Sequence, residues 1–156
     1  MMEMQQKEIL RHLIFELKSA AENYHAEADA FDSQKERSLF ELLARRCERF
    51  ETQIEKAAET ALDIVLENGS GDEEKYKAWT AIKEREQIFI SIEGRESRLE
   101  RLYREILRNE SIPPAIREIL KEQFGVIYKW HNFVITEEVN FIFGSEVKIP
   151  TELSEV

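Results

Sequence analysis

The sequence predicts an all-α protein folded as an antiparallel four-helix bundle. Apolar residues recur at three- and four-residue steps along most of the chain, and only 5 glycines and 3 prolines occur in 156 residues. The few helix-breaking positions separate four long segments. Apolar residues make up 42% of the chain, enough for the core of one domain. We place the bundle at residues 1–143 and interpret residues 144–156 as a C-terminal tail.

The first predicted helix spans Met4–Ala30, where large apolar residues recur on one face. Ser33 and Glu36 form a capping box, in which each side chain bonds the other residue's backbone N–H, so a second helix begins directly. This helix is predicted to end at Asn68 and Gly69, which readily adopt the left-handed conformation that terminates helices. Its apolar stripe contains Phe40, Leu43, Cys47, Phe50, Ile54, Ala57, Ala61 and Ile64.

The third segment, Glu73–Asn109, contains no proline and a single glycine, so it favours one long helix. Ser111 followed by the Pro113–Pro114 pair marks the start of a fourth helix, since the missing N–H of proline is not needed in a first turn. Gly144 is predicted to end this helix. The two stripes include Ile92, Glu96, Leu99, Tyr103 and Ile106, and then Ile116, Leu120, Ile127 and Val134.

Two connections between the second and third helices remain open. If residues 73–109 form one helix, the bundle is up-down-up-down, and unbroken helical propensity favours this arrangement. If Asp72–Lys83 is a crossover, the second and third helices run parallel, as in ferritin-like folds. Such a crossover must travel most of the bundle length, and a dozen extended residues reach about 40 Å.

Several short motifs occur in an order that resembles a family. They are Leu10–Ala28, the Phe40-Glu41-Leu42-Leu43-Ala44 run leading to Phe50, Glu93-Gly94-Arg95-Glu96 followed by Tyr103, the two prolines, and His131. Together they resemble a bacterial family of ferritin-like bundles known as domain of unknown function 2383. The resemblance covers roughly Leu10–Phe133 and is poor between Glu51 and Lys83. It implies a ferritin-like bundle with the crossover connection and self-association, and the family carries no established activity.

The di-iron motif of ferritin-like oxidases is incomplete in this chain. Those proteins place a glutamate on each of two helices and Glu-x-x-His on each of the other two, because carboxylates and imidazoles hold two metal ions in a dry core. On the second helix the Glu-x-x-His positions fall at Cys47 and Phe50. On the fourth helix they fall at Tyr128 and His131. Neither motif is intact.

Four polar residues still lie on or beside the core stripes, namely Glu27, Glu96, Gln123 and His131. Two carboxylates and one imidazole are suitable ligands for a single iron or manganese ion, so Glu27, Glu96 and His131 are the candidate metal ligands. The competing interpretation is structural. In it Glu96 pairs with a neighbouring arginine and His131 is a hydrogen-bonded residue at the core boundary.

Composition and charge exclude several functions. The net charge of −10 opposes binding to a nucleic-acid backbone. The basic positions Arg95, Arg98, Arg101 and Arg104 alternate with glutamates, so we interpret them as a solvated, ion-paired helix face. No apolar stretch approaches the ~20 residues of a membrane span. The polar first residues show no signal peptide, so we expect a cytoplasmic protein.

Two runs, Ile88–Ile92 and Val126–Ile135, are apolar almost all round the helix. A helix in a small bundle buries one face, so such runs favour a second partner, and we predict a homodimer through the third and fourth helices. The alternatives are an unusually deep core or cover by the C-terminal tail. The predicted interface residues are Phe89, Ile90, Tyr128, Trp130 and Phe133.

Catalysis has no support in the sequence. Cys47 lies on an apolar stripe, where a thiol behaves as a small hydrophobe, and no phosphate-binding glycine loop occurs. We therefore expect a non-catalytic association module. The alternatives are a divergent iron- or manganese-binding protein, and a carrier of small apolar ligands with Tyr103, Tyr128 and Trp130 lining a cavity.

Overall fold

The computed structural model describes residues 2–29, 31, 34–66, 85–137 and 148–154. These ranges contain helices and no strands, so the all-helical prediction is confirmed for this part of the chain. Four long helices are present, with one short helix near the C-terminus. They are α1 (Met2–Ala28), α2 (Gln34–Leu62), α3 (Arg85–Leu107), α4 (Pro114–Thr136) and α5 (Thr151–Ser154).

The four long helices pack around one core. α1 lies along α2 and α3 lies along α4, while the pairs α1–α3 and α2–α4 complete the bundle. The predicted apolar stripes supply this core, because Leu13, Leu43, Tyr103 and Ile127 are each fully buried. Burying one such side chain stabilises the fold by about 1.5–3 kcal/mol.

α2 ends earlier than predicted. It stops at Leu62 instead of Asn68, because Asp63 adopts a positive φ of 52° while its N–H bonds the carbonyl of Glu59 at 3.1 Å. Aspartate tolerates the left-handed conformation that closes a helix. Residues 63–66 have no regular structure, and Leu66 packs in the core. Ala61, predicted on the stripe, is exposed.

The turn between α3 and α4 is held by polar contacts. The Asn109 side chain accepts hydrogen bonds from the backbone N–H and the hydroxyl of Ser111, at 3.0 and 2.6 Å. Arg117 donates to the backbone carbonyls of Leu107 and Asn109, both at 2.5 Å, which satisfies carbonyls at the end of α3. Pro114 is the first residue of α4, as the proline pair predicted.

The C-terminal tail contributes to the core. α5 packs against α4, and Leu153 is only 3% exposed. This contact agrees with the interpretation that the tail covers part of the apolar surface. No helix within the described ranges is long and apolar enough to cross a membrane.

Some predicted features lie outside the described residues. Ser33 of the capping box, the proposed crossover Asp72–Lys83, and the predicted end of the fourth helix at Gly144 all fall there. Within the described part, α4 ends at Thr136, and the Glu137 N–H bonds the carbonyl of Phe133 at 3.0 Å.

Candidate functional site

Two glutamates lie inside the bundle core. Glu27, near the end of α1, and Glu96, in the middle of α3, are both 0% exposed. A buried carboxylate destabilises a fold unless it is paired and hydrogen-bonded. Each of these two carboxylates is paired with an arginine from another helix.

Glu96 forms a bidentate ion pair with Arg46 of α2. Nη1 and Nη2 of the guanidinium donate to Oε1 and Oε2 of the carboxylate, at 2.5 and 2.7 Å. The Tyr24 hydroxyl donates to Oε2 of Glu96 at 2.5 Å. Arg46 is 1% exposed, so the contact is sealed from solvent. This planar two-bond geometry is the strongest form of arginine–carboxylate contact.

Glu27 forms a second bidentate pair with Arg95 of α3. The two nitrogen–oxygen distances are 2.7 and 3.1 Å. The Arg95 guanidinium also lies 4.7 Å from the centroid of the Tyr24 ring, a cation–π contact. Tyr24 therefore touches both ion pairs. We call the set of Tyr24, Glu27, Arg46, Arg95 and Glu96 the charged layer.

The basic face predicted on α3 is therefore only partly solvated. The Arg95 side chain is 14% exposed and belongs to the core, whereas Arg98 is 70% exposed and pairs with Glu16 at 3.1 Å. Both arginines pair with a glutamate of α1, but Glu27 is completely buried whereas the Glu16 side chain is 12% exposed.

The electrostatics of the charged layer shift the pKa values of Arg46 and Tyr24 upward. Burial by itself disfavours a charged guanidinium, but Glu96 and smaller neighbouring contributions outweigh it, so the pKa of Arg46 lies well above its usual value. Burial, assisted by the Glu96 carboxylate, raises the pKa of Tyr24 well above 10.0. Arg46 therefore stays charged and Tyr24 stays protonated at physiological pH.

Cys47 adjoins the charged layer and does not become a nucleophile. It is fully buried, and its Sγ accepts a hydrogen bond from Nη2 of Arg46 at 3.3 Å. Burial raises the pKa of the thiol despite the opposing effect of Arg46. A protonated, inaccessible thiol is unreactive.

A second polar group lies further along the core and carries no charge. The Tyr103 hydroxyl donates to Oε1 of Gln123 at 2.7 Å. The Gln123 amide donates to the Phe50 carbonyl at 3.2 Å and to Oε1 of Gln53 at 2.9 Å. We call Tyr103, Gln123 and Gln53 the neutral layer. Gln123, predicted as a polar residue on the core stripe, joins α3 to α2 here.

The third predicted metal ligand has a separate partner. His131 is half-buried, and its Nδ1 lies 2.7 Å from Oε2 of Glu100. The other oxygen of this carboxylate, Oε1, accepts a hydrogen bond from Arg104 at 3.0 Å. Glu27, Glu96 and His131 thus form separate pairs, with Arg95, Arg46 and Glu100 respectively. Within the described part of the chain, no three His, Cys, Asp or Glu side chains form a group that could hold a metal ion. Metal binding by these residues stays a prediction.

The predicted interface residues lie at different depths. Ile90 and Tyr128 are 60% and 49% exposed, but Trp130 is 1% exposed and packs in the core of its own chain. Phe133 is half-buried, with its ring edge-on to Trp130 at 5.9 Å between centroids. The Phe89 side chain lies outside the described part of the structure.

Three buried donor atoms have no hydrogen-bond acceptor among the described residues. They are Nε of Arg46, Nη2 of Arg49 and Nε1 of Trp130. A buried donor that is left unsatisfied costs about 1–3 kcal/mol. The guanidinium carbons of Arg46 and Arg49 lie 6.0 and 5.8 Å from the centroid of the Phe50 ring, which gives both cations a cation–π contact.

Sequence reasoning missed Arg46, the cation that compensates the buried negative charge of Glu96. A signal was present, because Leu39, Leu43 and Phe50 define a stripe at four- and seven-residue spacing, and position 46 falls on it. An arginine on an apolar stripe indicates a buried charge that requires an acid on another helix.

No family model, curated protein or solved structure matches the chain. The resemblance to domain of unknown function 2383 therefore stays a prediction.

Proposed function

We propose that this protein is a non-catalytic helical bundle that works by associating with a second copy of itself through α3 and α4. The observation that carries the proposal is the distribution of uncovered apolar side chains. Among the described residues, four large apolar side chains are exposed, and Ile90, Tyr128 and Ile135 all lie on α3 or α4. The fourth, Val65, follows the end of α2.

The spacing on α4 supports one continuous contact surface. Tyr128 and Ile135 are seven residues apart, so they lie on the same face of the helix. Gly125 precedes Tyr128 on this face, and a Cβ placed there would meet no atom within 4 Å. A helix from a partner therefore has room to approach α4 closely. An exposed apolar stripe of this kind is typical of an association surface.

The chemistry of the core supports a non-catalytic role. Both buried carboxylates, Glu27 and Glu96, have two oxygens engaged by a guanidinium, and the Cys47 thiol is sealed. Groups that are buried and engaged in this way have no access to a substrate.

Sedimentation velocity tests the association. We expect a dimer that dissociates in the double variant Tyr128→Glu with Ile135→Glu, because two carboxylates on the apolar face repel the partner's copy. The matched control is Val65→Glu, which adds a charge at an exposed apolar position outside α3 and α4 and should leave the dimer intact. A wild-type chain that remains monomeric at high concentration would contradict the proposal.

We also infer that the helices have the ferritin-like order, with α2 and α3 running in the same direction. The contacts Glu27–Arg95 and Gln6–Ser111 support an antiparallel α1–α3 pair, since low numbers on α1 meet high numbers on α3. The short link between α1 and α2 and the Asp29–Arg37 pair support an antiparallel α1–α2 hairpin. Two helices that are both antiparallel to α1 are parallel to each other.

Spin-label distances test this order. Labels on cysteines at exposed positions Glu59 and Arg108, in a Cys47→Ala background, should lie at the same end of the bundle. In an up-down-up-down bundle they would be separated by about 35 Å, the length of the 23-residue α3. In a control pair, labels at Glu59 and Ile90 should lie far apart in the ferritin-like order and close together in an up-down-up-down bundle. A longer distance for Glu59–Arg108 than for Glu59–Ile90 would exclude the ferritin-like order.

Binding of iron or manganese is the second candidate, and the observation that favours it is the pair of fully buried carboxylates. A cation at Glu96 would first have to displace Arg46 from both oxygens, so we rank this function below association. Mass spectrometry of the protein after loading with either metal tests it. Stoichiometric metal that is lost in Glu96→Gln and kept in Glu59→Gln would reverse the ranking.

A further inference from the structure

A surface groove of about 390 Å³ lies between the first turns of α1 and the last turns of α3. Beyond its lining residues, α1 is joined to the α3–α4 turn by a hydrogen bond from the Gln6 side chain to the Ser111 carbonyl, and to α3 by the Glu16–Arg98 ion pair. Its volume falls in the range of about 300–1,000 Å³ that small-molecule sites occupy. We call it the α1/α3 groove.

The floor of the α1/α3 groove is apolar. It consists of Ile9 from α1 with Leu102 and Ile106 from α3. Ile106 is buried, whereas Ile9 and Leu102 are half-buried: one side packs on the core and the other remains accessible. Leu102 and Ile106 are four residues apart and so share one face of α3. Such a floor suits an apolar body better than a hydrated ion.

The rim of the α1/α3 groove is negatively charged. Glu8 lines it from α1 and Glu105 from α3, with the imidazole of His12 beside them, and no lysine or arginine is among the described residues that line the groove. Glu8 pairs with Arg11 at 3.1 Å. The exposed Glu105 carboxylate has no side-chain partner among the described residues, so it is available to a cation.

We propose that the α1/α3 groove binds a small organic cation with an apolar body, such as an alkylammonium ion. The apolar body would cover Ile9 and Leu102, and the ammonium group would donate hydrogen bonds to Glu105. An anion of the same shape would meet two carboxylates of like charge, and a neutral molecule would leave Glu105 without a cation. This site is separate from the proposed association surface on α3 and α4.

Titration with hexylammonium chloride, followed by ¹H–¹⁵N NMR spectra of the full chain, tests the proposal. We expect saturable shifts confined to the amides of residues 6–13 and 101–110. Hexanoate and hexanol at the same concentrations should give weaker shifts there, because each lacks the positive charge. Glu105→Gln should raise the Kd for hexylammonium by about 1.5-fold to fivefold, the range for one exposed ion pair.

Two further variants distinguish binding in the groove from general attraction to the negatively charged protein. Glu59→Gln removes the same charge from an exposed position on α2 and should leave the Kd unchanged, while Leu102→Ala shrinks the floor and should weaken binding without altering the charge. Equal effects of Glu105→Gln and Glu59→Gln would mean that only the overall net charge attracts the ligand. That result, shifts spread over the whole surface, or equal binding of hexanoate would each overturn the proposal.

Discussion

The core contains two polar layers whose buried groups are compensated for the loss of water in different ways. In the charged layer, carboxylates are neutralised by guanidinium groups, with Arg46 and Glu96 at 1% and 0% exposure. In the neutral layer, Tyr103 and the amide of Gln123 satisfy each other at 2.7 Å without any charge. The two layers teach that buried polarity has an asymmetric cost. Removing one ion from the charged layer leaves an uncompensated buried charge, whereas removing one group from the neutral layer costs one modest hydrogen bond.

The largest expected effect is in the charged layer. Arg46→Met leaves the Glu96 carboxylate buried without its cation, and the free energy of unfolding should fall by about 3–5 kcal/mol. Urea denaturation measures the loss. The double variant Arg46→Met with Glu96→Gln removes both charges and keeps an acceptor for Tyr24, so we expect it to recover most of the stability.

The exposed pair supplies the control for this prediction. Arg98→Met removes the partner of Glu16 at a position that is 70% exposed, and the expected change is below about 1 kcal/mol. If Arg46→Met with Glu96→Gln were as unstable as Arg46→Met alone, the loss of stability in Arg46→Met could not be due to an uncompensated charge on Glu96.

A smaller effect is expected in the neutral layer. Tyr103→Phe removes the hydroxyl that bonds Gln123, and the free energy of unfolding should fall by about 1–2 kcal/mol, by the same urea assay. Tyr128→Phe, which removes a hydroxyl from a 49% exposed side chain, should have little effect. A loss in Tyr103→Phe as large as in Arg46→Met would remove the difference between the two layers.

Glu51 shows how the pKa of a partly buried carboxyl group changes when no guanidinium is among the groups that act on it. Its pKa is raised to about 7 by partial burial and then by Glu55, with Lys18 opposing and Glu48 and Glu22 adding to the effect. The folded chain therefore holds an extra proton between about pH 4.5 and 7. The stability that this proton provides is present below that window and is lost as the pH rises through about 7.

Glu51→Gln mimics the protonated state and tests this window. The variant should be more stable than the wild type at pH 8 by up to about 1 kcal/mol, a value discounted because Glu51 is partly solvated. The difference should vanish near pH 4. Thermal unfolding across this pH range measures it, and Glu59→Gln is the exposed control. An unchanging difference between pH 4 and 8 would show that Glu51 has an ordinary pKa.

The smallest effect is expected at Trp130. Trp130→Phe removes a buried N–H that has no acceptor among the described residues, which offsets the loss of packing volume. Stability should stay within about 1 kcal/mol of the wild type in urea denaturation. A loss above about 3 kcal/mol would indicate that the indole N–H has a partner and belongs with the satisfied polar layers.

Much of the fold was predictable because helical periodicity is local. The stripe positions Leu43, Cys47, Phe50 and Ile54 were identified as core residues and are buried, since a helix of known period has only one face for them. The end of α2 was not predictable in the same way, because it depends on the left-handed backbone conformation of one aspartate, Asp63. Asn68 and Gly69, which adopt this conformation more readily, follow a few residues later and were therefore predicted to end the helix.

The candidate site was predictable in part. Glu96 and Gln123 were recognised as polar residues on core stripes, and both prove to be buried and hydrogen-bonded. Their partners were not recognised, because Arg46 lies 50 positions before Glu96 and Gln53 lies 70 before Gln123. No local pattern links such distant residues.

The sequence by itself determined the helical periodicity and the apolar stripes that form the core. Only the tertiary structure decided which charges meet inside that core. Periodicity depends on the backbone of one helix, and so it can be read from neighbouring residues. The pairing of Arg46 with Glu96 depends on the packing of α2 and α3, which brings the two charges together where no water can solvate either one.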